Sequence, residues 1–276
     1  MARLLEAVRA ADPERYLSVL YAPAEKREAL AALYAFDAEV AAIRDRVREP
    51  MPGEIRLQWW RDALAAGAPT GHPVADALIE TVRTYGLPVA SFDNLLEART
   101  FDLYDDPMPS KTDLEGYCGE TGSAIIQLAA MLLDAEAARG AAEAAGHAGC
   151  AQVMAGLIQR LPKHLARGQC YLPRDLLTAA GTTPETLVEG KAGEAGARAV
   201  EAFAALARQH LTAFERHATT LPESLRPAFL PLAATGAIIS RAGKAPGRAL
   251  TQAVEIGAVR RQWLTLRRAM RGWRGR

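Results

Sequence analysis

Two sets of carboxylates in this 276-residue chain have the residue types to hold a divalent cation. Asp37, Glu39 and Asp45 fall within three helical turns, and Glu97, Asp102, Asp105 and Asp106 form a second acidic set. Hard cations such as Mg²⁺ take oxygen ligands of this kind. Asp37 and Glu39 diverge, because positions i and i+2 do not share a helix face. A solvated or capping role is the competing reading for the first set, and an acidic loop after a helix end for the second. Arg160, Lys163 and His164 have the opposite chemistry and would attract a phosphate; a lone histidine also reads as structural. Cys118, Cys150 and Cys170 are odd in number and lack close Cys/His spacing. They argue for a reducing compartment, against a disulfide framework and against a structural metal.

The elements that must position these groups are helical. Hydrophobic residues make up 50% of the chain, charged residues 24% and aromatic residues only 6%, and alanine, the best helix former, dominates. Leu30, Leu33, Phe36, Val40 and Ile43 recur at spacings of three and four, which predicts a helix over residues 24–47. Further helices are expected over 52–66, after Pro73 as far as Gly86, and over 89–104. Thr112 and Glu115 read as a capping box opening a long helix through Leu133. Others follow over 137–166, from Thr182, and over 194–218, 224–241 and 247–273. Trp59 and Trp60 are adjacent, so one should be core and the other half-exposed. Residues 105–110 read as the clearest loop. The expectation is about ten helices in one domain over 1–276, with no strand or repeat.

A formal charge of +1 excludes a nucleic-acid coat. No basic, apolar, small-residue leader pattern opens the chain. The longest nearly apolar stretch, Ala228 to Ile239, holds Pro231 and is short of the roughly 20 residues a bilayer span needs. These features predict a cytoplasmic protein, at most peripheral on the inner face of the membrane.

Four stretches, in order, resemble the squalene/phytoene synthase family, all-α enzymes that join two prenyl diphosphates head to head. Pro23 to Arg27 with Ala32-Leu33-Tyr34-Ala35-Phe36 is similar to the family's opening segment. Arg56-Leu57-Gln58-Trp59-Trp60-Arg61 is similar to its Trp-Trp-Arg segment. Leu95 to Leu103 with Tyr117-Cys118 is similar to a third, and Arg167 to Pro173 to a fourth. The resemblance spans roughly residues 14–240. It implies an isoprenoid-synthase-type helical bundle around a central cavity, with Arg27, Tyr34, Asp45, Asp102, Tyr117, Arg160, Lys163, His164 and Tyr171 as cavity or ligand-binding candidates. The tyrosines read as cavity lining or as buried structural groups.

The family's reaction implies Mg²⁺ held by two acidic clusters on facing helices, and this sequence departs from both. The first cluster falls on Ala41, Ala42 and Asp45, the second on Arg160, Lys163 and His164. The arginine expected near the first falls on Ala38, the asparagine of the second on Gly156, and Pro162 stands where the family has glycine. Near Tyr117 the chain reads Gly119-Glu120-Thr121-Gly122-Ser123. The expectation is a kept fold without the metal-dependent reaction and no cofactor, Mg²⁺ returning only if the chain is an active prenyl transferase. Phe36 to Val40 and the Trp59-Trp60 segment are similar to a branch of the family with degenerate acid motifs that includes an assembly factor for respiratory complex I. The implied partners are an isoprenoid or other lipid-like ligand, respiratory-complex subunits or a membrane surface.

The last expectation concerns the segment 260–276. Arg260, Arg261, Arg267, Arg268, Arg271, Arg274 and Arg276 alternate there with Trp263, Leu264, Leu266, Met270 and Trp273, without an acid. Such a basic amphipathic stretch suits an anionic membrane surface. The competing reading is a last helix packing its apolar stripe, its arginines favouring the C-terminal dipole end.

Overall fold

The computed structural model describes residues 1–273, so Arg274 and Arg276 of the basic tail lie outside the described residues. Among the described residues every regular element is helical. There are nineteen α-helical segments, more than the about ten expected. The excess arises because predicted helices break and because Ala2–Ala11, Pro13–Tyr21 and Arg174–Ala179 lie outside every predicted helix. Seven segments have six residues or fewer, and twelve are longer.

Each break has a local cause. The stretch 24–47 opens as a 3₁₀ turn (Ala24–Lys26), runs as Arg27–Ala41, and bends at Ala42 before Ile43–Arg46. The stretch 137–166 divides into Ala135–Ala138, Ala142–Gln159 and Leu161–Ala166. Pro162 has no N–H to continue the ladder, so the chain restarts around it at a first-turn position. Pro227 and Pro231 divide the stretch 224–241 in the same way, into Glu223–Leu225, Arg226–Phe229, Leu230–Ala234 and Thr235–Lys244. The stretch 247–273 holds only Pro246–Ala249 and Ala258–Arg271, joined by non-helical backbone that buries Val254 and Ile256.

The capping box is also corrected. Ser110, not Thr112, caps the helix Lys111–Cys118 and accepts from the Asp113 N–H at 3.2 Å. Ser110 has the extended backbone a cap needs, whereas Thr112 is already inside the first turn. The helix does not run unbroken to Leu133. It widens into a π-turn over Gly119–Ser123 and resumes as Ala124–Leu133. That turn lies almost in contact with Ala142–Gln159. A Cβ on Gly149 would sit 2.2 Å from the Ser123 backbone nitrogen, so this crossing requires glycine.

The helix Arg27–Ala41 runs through the core. It buries Leu30, Leu33, Tyr34, Phe36 and Val40, and one acid, Asp37. It packs against Ala2–Ala11, Pro73–Tyr85 and Ala124–Leu133. Phe36 meets Trp60 edge to face at 5.0 Å, a favourable geometry for two aromatic quadrupoles. Trp60 is buried and Trp59 is 39% exposed, as their divergence on one helix predicts. The two longest helices, Ala142–Gln159 and Gly193–His217, pack along each other. No helix among the described residues is long and apolar enough to cross a membrane.

Candidate ligand cavity

A cavity of about 540 Å³ opens between the C-terminal end of Arg27–Ala41, the end of Ala142–Gln159, Leu161–Ala166 and the start of Pro13–Tyr21. Seven of the nine candidates line it: Asp45, Asp102, Tyr117, Arg160, Lys163, His164 and Tyr171. The other two lie elsewhere. Arg27 donates to the carbonyl oxygens of Ala22 and Leu20, both at 3.0 Å, and so satisfies the end of the preceding helix. Tyr34 is buried beside the cavity, its hydroxyl 3.5 Å from Ser18 and its ring under the Arg15 guanidinium.

Two acids face inward: Asp37, for which a solvated or capping role is the competing reading, and Asp102, one of the cavity candidates. Asp37 is 4% exposed and is gripped by Arg15 and by Arg99, the latter at 3.2 Å. Burial works to raise its carboxyl, but the two guanidiniums outweigh burial and hold it below the usual carboxylate range. Asp102 is also buried and accepts from the Tyr171 hydroxyl at 2.6 Å, the Tyr117 hydroxyl at 2.9 Å and Arg99 at 3.2 Å. Arg99 therefore forks between two acids: one nitrogen serves Asp37, the other Asp102 and the Tyr117 hydroxyl at 2.9 Å. The rings of Phe101, Tyr117 and Tyr171 surround this node.

At the mouth, Asp45 accepts from Lys163 at 2.8 Å and from Arg167 at 2.7 Å. These two cations overcome the effect of burial and lower its carboxyl. Asp12 caps Pro13–Tyr21 through the Arg15 N–H and lies 3.5 Å from the Arg15 guanidinium. Glu14 pairs with Arg261 at 2.7 Å. Four of the five carboxylates lining the cavity thus accept from this chain's own donors, and the fifth, Glu14, pairs with Arg261 by charge while burial and Asp12 raise its pKa.

The basic positions of the second cluster behave differently from one another. Arg160 folds back over Gly156, whose carbonyl it approaches at 3.3 Å. A Cβ at position 156 would meet the same guanidinium at 3.3 Å, so the glycine makes room for the arginine. His164 is buried against Tyr171, ring centroids 4.9 Å apart, and its Nδ1 has no partner. Burial, with Arg160, Arg167 and Lys163 close by, pushes its pKa down to about 3, so the imidazole is neutral at pH 7.

The donor set does not fit Mg²⁺. Positions 41 and 42 line the cavity as alanines without oxygen ligands. Asp37 and Asp102 would have to release Arg99, and Asp45 would have to release Lys163 and Arg167, before serving an octahedral cation. Among the described residues no three His, Cys, Asp or Glu side chains converge in a geometry that could hold a metal ion.

The sequence singled out neither Arg15 nor Arg99, which hold the buried acids Asp37 and Asp102. Arg99 stands three residues before Asp102, a spacing that brings two helical side chains together. Nothing in the spacing of Arg15 points to Asp37, which is 22 residues away.

Comparison with known proteins agrees with this architecture. The dehydrosqualene synthase seen in complex with a ligand superposes with a TM-score of 0.78 at 19% identity, over 96% of this chain and 93% of that one. In sequence, the chain is 31% identical over 229 residues to the NADH dehydrogenase (ubiquinone) complex I assembly factor 6 of Rattus norvegicus, covering 82% of this chain and 68% of that protein. It is 28% identical over 185 residues to the presqualene diphosphate synthase of Sinorhizobium fredii, covering 64% and 65%. The squalene/phytoene synthase family model matches residues 8–264. With that match running through every wall of the cavity, the chain belongs to the squalene/phytoene synthase family.

Proposed function

We propose that this protein is a non-catalytic member of its family that acts in the assembly of a respiratory NADH dehydrogenase complex. The observation that carries the reading is the pairing of all five cavity carboxylates by arginine, lysine and tyrosine. Ionising a prenyl diphosphate calls for bound metal to neutralise the leaving group, and the acids that would bind it are committed elsewhere. The likeness to complex I assembly factor 6 supports the assembly role. On this reading the protein works on the cytoplasmic side of the membrane that holds the complex.

The cavity keeps a binding role in this proposal. Arg160 and Lys163 supply positive charge at its mouth, while Ala38, Ala41, Leu157 and Ile238 supply apolar wall. That combination suits an isoprenoid or other lipid-like ligand with an anionic head, taken up without metal.

Deleting the gene should lower complex I activity and the amount of assembled complex, and re-expression should restore both. Unchanged assembly would remove the assembly role. Purified protein incubated with Mg²⁺ and farnesyl or geranylgeranyl diphosphate should release no pyrophosphate. Release at ordinary enzymatic turnover would make the chain an active prenyl transferase instead.

A further inference from the structure

The helix Ala258–Arg271 has two faces with different tasks. Its inner side accounts for part of the arginine–tryptophan pattern. Thr265 is buried, Leu264 packs on the core, and Trp273 just beyond the helix meets Phe214 at 5.2 Å. Arg261 pairs with Glu14, and Arg268 pairs with Glu215 at 3.1 Å. The helix is therefore firmly seated.

Its outer side remains. Val259, Trp263, Leu266 and Met270 follow at spacings of four, three and four, a single stripe on a helix. Val259 is 82% exposed, Trp263 60% and Met270 61%. Tyr21, at the end of Pro13–Tyr21, is exposed beside them. A shallow apolar groove lined by Leu17, Tyr21, Val259, Trp263 and Leu266 joins the two helices into one surface. Arg260, Arg267 and Arg271 are exposed on the same helix, with no acidic partner among the described residues.

A second apolar stripe exists for contrast. Met51, Ile55 and Trp59 are exposed on Pro50–Ala66, but Glu49, Glu54 and Asp62 stand among them beside Arg56 and Arg61. Mixed charge makes that stripe a poor match for an anionic surface. The helix Ala258–Arg271 carries no acid at all.

We propose that the outer face of Ala258–Arg271, with Tyr21 beside it, docks onto an anionic lipid bilayer. Trp263, Leu266 and Met270 enter the headgroup–acyl boundary, where an amphipathic helix lies in the plane of the membrane. Arg260, Arg267 and Arg271 meet the lipid phosphates. Trp263 suits that depth, its ring apolar and its N–H free to bond in the interface. The surface stands independently of the assembly role, since it rests on this face alone.

The test is sedimentation of the full chain with vesicles of phosphatidylcholine alone and of phosphatidylcholine mixed with phosphatidylglycerol. The protein should partition onto the anionic vesicles and be released by salt. Each interfacial arginine contributes about a five-fold factor, so replacing Arg260, Arg267 and Arg271 together by glutamine should weaken partitioning about a hundred-fold. The double variant Trp263→Ala, Met270→Ala should weaken it by about ten-fold or more. Trp59→Ala should leave it unchanged. All these positions are exposed, and unchanged thermal melts would show that the variants fold. Absence of binding to either vesicle would overturn the proposal, as would equal binding by wild type and the arginine triple variant. So would a wild-type dimer, seen by analytical ultracentrifugation, that Trp263→Asp with Met270→Asp converts to monomer, since the face would then belong to a second copy. Loss of complex I assembly on gene deletion neither requires nor replaces this result, so the two readings fail separately.

Discussion

The cavity and the terminal helix use arginine in opposite ways. In the cavity, Arg15 and Arg99 point inward and hold the chain's own acids, Asp37 and Asp102. On the terminal helix, Arg260, Arg267 and Arg271 point outward beside exposed apolar side chains. The difference is one of solvation. A buried carboxylate must be compensated inside the protein, because desolvating an unpaired charge costs several kcal/mol. An exposed guanidinium has no such need and stays available to a partner. The near-neutral net charge of +1 therefore conceals an interior of paired charge and a surface patch of unpaired charge.

The sharpest way to break this contrast is Arg99→Leu. It would leave Asp37 held by Arg15 alone and Asp102 by two hydroxyls. Removing one partner of a buried ion pair costs about 3–5 kcal/mol, so urea unfolding should show a loss of that order. A loss under 1 kcal/mol would mean the node behaves as a surface pair. Arg99→Lys should recover only part, since a single ammonium cannot reproduce the planar fork.

His164 provides the next effect, through pH. Its folded pKa of about 3 lies below the ordinary 6.5, so the unfolded chain takes up the proton first as pH falls. Stability is therefore lost between pH 6.5 and 3 and is untouched above 6.5. At pH 5 the penalty approaches about 2 kcal/mol. From pH 7 to pH 5 wild type should lose more stability than His164→Gln by an amount of that order, the variant being the less acid-sensitive. A parallel pH dependence in both proteins would show that the imidazole is charged in the fold.

Asp45→Asn tests the rim between the two regimes. The Asp45 side chain is 43% exposed and Lys163 58%, so solvent screens the pair despite its good distances. Stability should fall by about 0–1 kcal/mol, which denaturant titration would resolve from the Arg99 effect. Smallest of all, replacing Arg260, Arg267 and Arg271 by glutamine should change folding stability by no more than about 0.5 kcal/mol. A larger loss by calorimetry would mean that those arginines serve the fold.

The helical class, the family and the vacated positions were legible in the sequence because each rests on local information. Alanine content and three–four spacing specify helices, and Ala41, Ala42, Arg160, Lys163 and His164 lie a few residues from motifs that fix their register. Helix boundaries were less legible. Whether Pro162, Pro227 or Pro231 kinks a helix or restarts it depends on packing around it. Ser110 outcompeted Thr112 as a cap because the backbone enters the helix two residues earlier. The site was legible in outline only. Arg27 shares the motif that carries Tyr34, yet it is consumed by the carbonyls of Leu20 and Ala22.

By itself, the sequence determined that this chain folds as a helical bundle of its family and that the positions expected to carry metal-binding acids hold alanine and basic residues. Composition and short-range spacing are enough for that, since neither depends on which helix meets which. Only the tertiary structure decided that Asp37 and Asp102 are shared through one arginine, and that Trp273 turns inward while Trp263 turns out. Those outcomes depend on contacts between residues far apart in the chain, such as Arg99 with Asp37 at a separation of 62 and Lys163 with Asp45 at 118. Burial then fixes which charges must be answered inside the protein and which are left to a partner.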